Sequence, residues 1–287
     1  MNILKTFTLL GLMTVLMVFF GNMFGGQTGM IIMLGISLAM NLASYWFSGK
    51  MVIKMTGAKP VDKNKEPELH HMIEEISHSA GIPVPKIYMT NDAQPNAFAT
   101  GRNPKNAIVA VTAGLMELVD KNELRGVIAH EMAHIKNRDI LIGSIAAMMA
   151  GVISYIAHIA QWGAMFGGFG GNDEEEGGNI VGTLVLAIIA PIAAILIQMA
   201  ISRSREFHAD ATGAGFVNDT KGLSGALGKL EIASQRIPLR HANASTAHMY
   251  ISNPLKSGGI MSLFSTHPTT KARVERLKDL KLKSTNI

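Results

Sequence analysis

Apolar and polar positions segregate into blocks along this chain. Positions 6–49 carry no Lys, Arg, Asp or Glu, and 140–201 carries charge only as the run Asp173-Glu174-Glu175-Glu176. Each block is long enough for two crossings of a hydrocarbon core ~30 Å thick, at about 20 residues a crossing. The pattern predicts four spans, at about 6–24, 30–47, 140–166 and 180–201. The first pair breaks at Gly25-Gly26-Gln27-Thr28-Gly29, the second at the glycine-rich acidic loop 167–179. Tyr45, Trp46 and Trp162 fall near span ends, where amphipathic rings favour the interface. Pro191 falls within the fourth span, where neighbouring helices can re-satisfy the backbone group it frees.

The polar blocks read differently. In 49–139, Glu66 to Ala80 places Leu69, Met72, Ile73 and Ile76 on one helical face, with Pro67 early and Gly81 at the end. Lys86–Thr90 reads as a strand. Asn96–Thr100 and Ala107–Thr112 read as a hairpin around 101–106. A further helix starts at Asp120, with Glu123 three residues on as a carboxylate version of the capping box. In 202–287 the pattern predicts helices at about Arg205–Val217, Thr220–Gln235 and Thr270–Leu280, and an unpatterned loop from Pro238 to Thr266. The chain therefore divides into 1–48 with two spans, 49–139 as a polar domain, 140–201 with two more spans, and 202–287 as a second polar domain.

Composition agrees with insertion in a bilayer. Hydrophobic residues make up 48% and charged residues 16%, with mean hydropathy +0.24, against about a quarter charged for a soluble domain. The formal charge of +5 does not point to nucleic acid, because basic residues alternate with acidic ones and form no aromatic-laced stripe. Instead Lys5, Lys50, Lys54, Lys136, Arg138, Arg203 and Arg205 flank one end of each span, while 25–29 and 167–179 carry no basic residue. The positive-inside rule then places both termini and both polar domains in the cytoplasm. There is no cysteine, so a metal would have to be held by His and carboxylate. His158, inside the third span, suggests a transport role, but no intramembrane carboxylate accompanies it. A neutral imidazole packed between helices is the reading preferred here.

The candidate chemistry lies in His130-Glu131-Met132-Ala133-His134. Two histidines at i and i+4 share one helical face and can bind one zinc ion, with Glu131 beside the metal as general base. A catalytic zinc needs a third protein ligand. The segment 202–210 offers Glu206, His208 and Asp210. Glu206 and Asp210 share a face, so one can bind metal while the other orients a ligand imidazole. His208 points about 160° away from Glu206.

With these motifs the chain resembles the HtpX-type membrane metalloproteases, relatives of the type I CAAX prenyl proteases. The resemblance is carried by His130–His134 followed by Asn137-Arg138-Asp139, by Arg205-Glu206-Phe207-x-Ala209-Asp210, and by Thr266-His267-Pro268 with Arg273 beyond. It implies an α+β, mainly helical fold: a four-span integral membrane protein whose cytoplasmic catalytic domain is zincin-like and carries a small sheet. It implies one Zn2+ per chain held by His130, His134 and Glu206, with Glu131 as the base and Asp210 and Asp139 orienting the ligands. His267 or Arg273 is a candidate donor to the oxyanion. Asn96-Ala97-Phe98-Ala99 is similar to the family's strand that accepts substrate as an added strand. The expected partners are the lipid bilayer, polypeptide substrates (chiefly misfolded membrane proteins) and other membrane quality-control proteases. Nucleic acid is not among them. The expected setting is the bacterial inner membrane, multi-pass, with the active site cytoplasmic, in quality control and stress response. A non-catalytic zinc-containing membrane adaptor or chaperone is the alternative. Retention of Glu131, which a structural zinc site does not need, argues against it.

Overall fold

The computed structural model describes residues 2–145, 203–236 and 268–282. Most of the third expected span, the whole of the fourth, the acidic loop, His158 and His267 lie outside the described residues.

The chain opens with one long helix, α1 (Asn2–Thr56), bent at Gly26, where φ is 56° and ψ −147°. Glycine takes that conformation without a Cβ clash. The bend folds α1 into two antiparallel arms. Asn41 Nδ2 donates across them to Thr14 Oγ1 at 2.9 Å and to the Leu10 carbonyl at 3.4 Å. The second arm, Gly25–Thr56, is long and apolar enough to cross a membrane; the first contains the shorter apolar stretch Thr6–Phe19. Their outer faces expose Phe7, Val15, Phe19, Ile31 and Leu42, an apolar surface that lipid accommodates and water does not. The second arm does not end near Phe47. It continues as helix to Thr56 and carries Gly49, Val52 and Ile53 onto the polar domain.

That domain begins with β1 (Lys59–Pro60) and α2 (Pro67–Ala80). Proline at the start of α2 and Gly81 in the left-handed conformation after it set both ends. β2 (Lys86–Thr90), β3 (Ala97–Gly101) and β4 (Ala107–Thr112) follow, with a 3-10 turn at Pro104–Asn106 inside the hairpin. Then come α3 (Ala113–Leu118) and α4 (Lys121–Lys136). The sheet order is β1-β2-β4-β3. β2 runs parallel to β4, while β1 and β3 are antiparallel to their neighbours. β4 is buried at every position, as its central place requires. Residues 140–145 are again helical. Beyond them are α5 (Arg203–Val217), α6 (Lys221–Arg236) and α7 (Thr270–Lys278). The described residues are thus mainly helical with a small mixed sheet.

Strand periodicity divides the sheet into two faces. Ala97, Val109 and Val111 join Leu69, Ile73, Ile76, Val127 and Ile128 in the main core. Phe98 and Ala110 pack instead against Val52 and Ala58 at the end of α1. Each fully buried Ile or Leu contributes about 1.5–3 kcal/mol over an exposed one. The core therefore fixes α2, α4 and the sheet as one block.

α4 carries the capping box expected of it. Asp120 accepts from the amides of Asn122 and Glu123, and Glu123 accepts from the Asp120 amide. Lys229 of α6 holds Glu123 from the other side at 2.5 Å. α5 crosses α4 closely at Gly213, where an added Cβ would stand 2.8 Å from both Ala129 C and His130 N. Only glycine permits that approach, and it brings Glu206 and Asp210 against α4.

Candidate metal centre

His130 and His134 are one turn apart on α4, and their Nε2 atoms lie 3.2 Å from each other. Glu206 faces both, Oε2 at 3.6 Å from His130 Nε2 and Oε1 at 3.6 Å from His134 Nε2. A tetrahedral zinc with Zn–N near 2.05 Å has ligand–ligand edges of about 3.3 Å. The spacing of these three donors fits that edge, and the three form a group able to hold a metal ion.

Each imidazole is oriented from behind. Asp210 Oδ1 lies 2.9 Å from His130 Nδ1, and Asp139 Oδ2 lies 3.0 Å from His134 Nδ1. A carboxylate on Nδ1 favours the proton there and leaves the Nε2 lone pair for a metal. Asp139 reaches its place through the turn after α4. Arg138 takes φ 60°, a left-handed conformation costing about 1–2 kcal/mol outside glycine. The Asp139 amide then donates back to the His134 carbonyl at 2.9 Å.

The charge balance also fits a divalent cation. Among the described residues, Glu131, Glu206, Asp210 and Asp139 are buried together with two guanidinium groups, those of Arg205 and Arg273. Buried carboxylates demand compensation. In the protein alone the cluster shifts its own titrations. Burial pushes the Glu131 carboxyl above its ordinary value, against the pull of His130 and His134. Burial pushes His134 down, but the Asp139 hydrogen bond and the carboxylates of Glu206 and Glu131 outweigh it and raise its pKa to about 9.

Glu131 is buried beside the donors and accepts a hydrogen bond from the main chain of Ala99 in β3. Arg273 lies within the cluster, 1% exposed. Its Nε and Nη2 donate to Asp210 at 2.9 and 2.6 Å, and its Nη1 lies 3.6 Å from Glu206 Oε2. These donors face the carboxylates that orient the metal site. His208 is exposed on α5, away from the cluster. In the candidate substrate strand Asn96, Ala97 and Phe98 are buried and Ala99 is partly exposed. Arg205, which the sequence offers as a flanking charge and as part of the motif around Glu206 but without a role at the site, is buried near Asp139 and Glu206 and attracted to both. Its place directly before Glu206 in the sequence was the available signal.

A family model described as "Peptidase family M48" matches residues 63–281. Curated proteins called "Protease HtpX homolog" align over nearly the whole chain. The one from Persephonella marina is 53% identical over 284 residues, covering 98% of each chain. The one from Syntrophobacter fumaroxidans is 49% identical over 277 residues, covering 96% of this chain and 98% of its own. The one from Thermococcus kodakarensis is 47% identical over 277 residues, covering 96% and 95%. Among solved structures, that of S. mikatae Ste24p superposes loosely, with TM-score 0.49 at 18% identity over 96% of this chain and 65% of that one.

Proposed function

This chain belongs to peptidase family M48 and is a metalloendopeptidase, and on that premise we propose that it is a zinc enzyme of the bacterial cytoplasmic membrane. In this reading four spans anchor it. The polar domains at 49–139 and 202–287 lie in the cytoplasm, and its substrates are misfolded or misassembled membrane proteins. His130, His134 and Glu206 hold one zinc ion, with Asp210 and Asp139 fixing the imidazoles.

Bound zinc supplies Lewis-acid chemistry, polarising a carbonyl oxygen and acidifying water. The rest is done by side chains. Glu131 takes the proton of the attacking water and later gives it to the leaving amine. The raised pKa of its carboxyl suits both halves of that transfer. Arg273 holds Asp210 and stands near Glu206, so its charge offsets the repulsion between these two carboxylates. The outer edge of β3 lies beside the base, where a substrate's main chain could pair.

The observation that carries the reading is the position of Glu131. It is buried at three converging donors, is not one of them, and is tied to the strand beside them. The test is Glu131→Gln in the purified full chain. One zinc per chain should remain while cleavage of an unfolded membrane protein is lost. Loss of zinc, or undiminished turnover, would break the mechanism.

A further inference from the structure

β3 is an edge of the sheet. Thr112 N donates to the Asn96 carbonyl, and the antiparallel register alternates from there. Asn96, Phe98 and Thr100 therefore turn their main-chain groups towards β4, and Ala97, Ala99 and Gly101 turn theirs outward. Two of the three outward amides already have side-chain acceptors. Ala99 donates to Glu131. Gly101 N donates to Ser144 Oγ at 3.2 Å.

The second acceptor belongs to a closed set of bonds. Ser144 Oγ lies 2.6 Å from the Ile140 carbonyl and 2.6 Å from Thr100 Oγ1. A hydroxyl has one proton to give. Ser144 gives it to Ile140, so it accepts from both the Thr100 hydroxyl and the Gly101 amide. Ser144 is 2% exposed and Thr100 0%, so water cannot stand in for either. A third element meets the same residue. A Cβ added at Gly49 of α1 would lie 3.0 Å from Gly101 Cα and 3.2 Å from its N. Glu131 and Ser144 stand where the carbonyls of a neighbouring strand would stand, two residues and about 7 Å apart along β3. Both belong to one passage of chain: α4, the turn at Arg138, and helical residues 140–145.

We propose that Ser144 is a positioning residue for the reaction. Its hydroxyl fixes the outer edge of β3 against Glu131 and so aims the base. It also closes that edge at Gly101, so main-chain pairing with a substrate stops at Ala99. The kinetic part of this proposal rests on the endopeptidase reading; the structural part does not.

The test compares wild type, Ser144→Ala and Ser144→Thr as full-length protein. It measures zinc per chain, kcat and KM on one peptide, and hydrogen exchange of the β3 amides by mass spectrometry. Ser144→Ala should keep one zinc and a KM within about twofold. Its kcat should fall about tenfold, less than the roughly hundredfold cost of a full 1 Å misplacement. The amides of 99–101 should exchange faster, and Ser144→Thr, which keeps the hydroxyl, should restore both readouts. Unchanged exchange in Ser144→Ala overturns the proposal. So does faster exchange with unchanged kcat, or loss of zinc in step with kcat. Should Ser144→Ala not fold, Thr100→Val removes one of the two bonds that Ser144 accepts, and the same shifts are expected at smaller size. Wild-type exchange and kcat in that variant count against the clamp. A wild type that cleaves nothing refutes the endopeptidase reading, and the exchange comparison still decides the clamp.

Discussion

Asp210 and Asp139 each orient one imidazole, yet their loss should read out differently. Asp210 accepts from His130 Nδ1 at 2.9 Å and from Arg273 Nε and Nη2 at 2.9 and 2.6 Å. Asp210→Ala therefore leaves a guanidinium that is 1% exposed without the two acceptor oxygens of Asp210. Breaking a buried pair from one side costs about 3–5 kcal/mol. At roughly 2–4 °C per kcal/mol for a domain of this size, the unfolding temperature should fall by about 6–20 °C. Asp139 is 8% exposed, and the arginine it attracts, Arg205, is also attracted by Glu206. Asp139→Ala should cost about 1–2 kcal/mol, the scale of one lost hydrogen bond with a group left behind. Both variants should lose about 10–100-fold in zinc affinity, as the loss of a ligand's hydrogen-bond partner does. The assay is thermal unfolding of the zinc-free protein together with zinc competition against a fluorescent chelator. Asp210→Ala with Arg273→Leu should recover most of the lost unfolding temperature, because the orphaned charge is gone, while zinc stays weakly bound. Equal thermal losses for the two single variants, or no recovery in the double variant, would refute the assignment of Arg273 as Asp210's dependent partner.

Gly213→Ala should push α5 from α4, because its Cβ would sit 2.8 Å from the Ala129 and His130 backbone. Zinc affinity and stability should fall together, by about 1–3 kcal/mol of stability for overpacking, as read by the same two assays. Zinc uptake should depend on pH. With a folded pKa of about 9, above the ordinary histidine value, His134 is protonated at neutral pH in the metal-free protein. Its contribution to metal-free stability is full below about pH 6.5 and is lost as pH rises through about 9. Metal needs the neutral ring, so affinity should rise about tenfold per pH unit up to about 9 and then level. Calorimetry at pH 7.5 in two buffers of different ionisation enthalpy should show at least one proton released per zinc, and none released would contradict the raised value. For topology, a membrane-impermeant thiol reagent applied outside the cell should label a cysteine at Asn172 and spare one at Asn64; the reverse pattern would invert the orientation.

Local signals made most of the polar domain legible in the sequence. The apolar face of α2, its proline start and glycine stop, the strand Lys86–Thr90, the hairpin and the Asp120 capping box are each written within a few residues. They appear in the structure within one or two residues of their expected bounds. The two-residue β1 carries no period, and its proline argues against a strand until a neighbour pairs with it. The pattern expects a membrane span at 30–47 and sets no helix end, because Lys50 and Lys54 interrupt an apolar run without stopping a helix, and α1 continues to Thr56. Charge limits an apolar stretch, whereas a helix ends only where its backbone does.

The choice between Glu206 and Asp210 and the role of Arg273 needed three dimensions. A helical wheel puts Glu206 and Asp210 on one face, but nothing in it says which carboxylate meets the Nε2 side of the histidines and which the Nδ1 side. That follows from the crossing at Gly213, which sets α5 along α4 so that Glu206 spans both Nε2 atoms while Asp210 reaches the back of His130. Arg273, more than 60 residues further along the chain, then completes Asp210's bonds. Ser144 was illegible for a related reason. A serine in an apolar stretch reads as a tolerated residue of a membrane helix. It acquires a task only when β3, 43 residues earlier, presents an outward amide at Gly101 to it. Types and spacings can name a metal-binding chemistry from the sequence. The groups that hold the ligands and the base in place are chosen by packing, so they emerge only where distant elements meet.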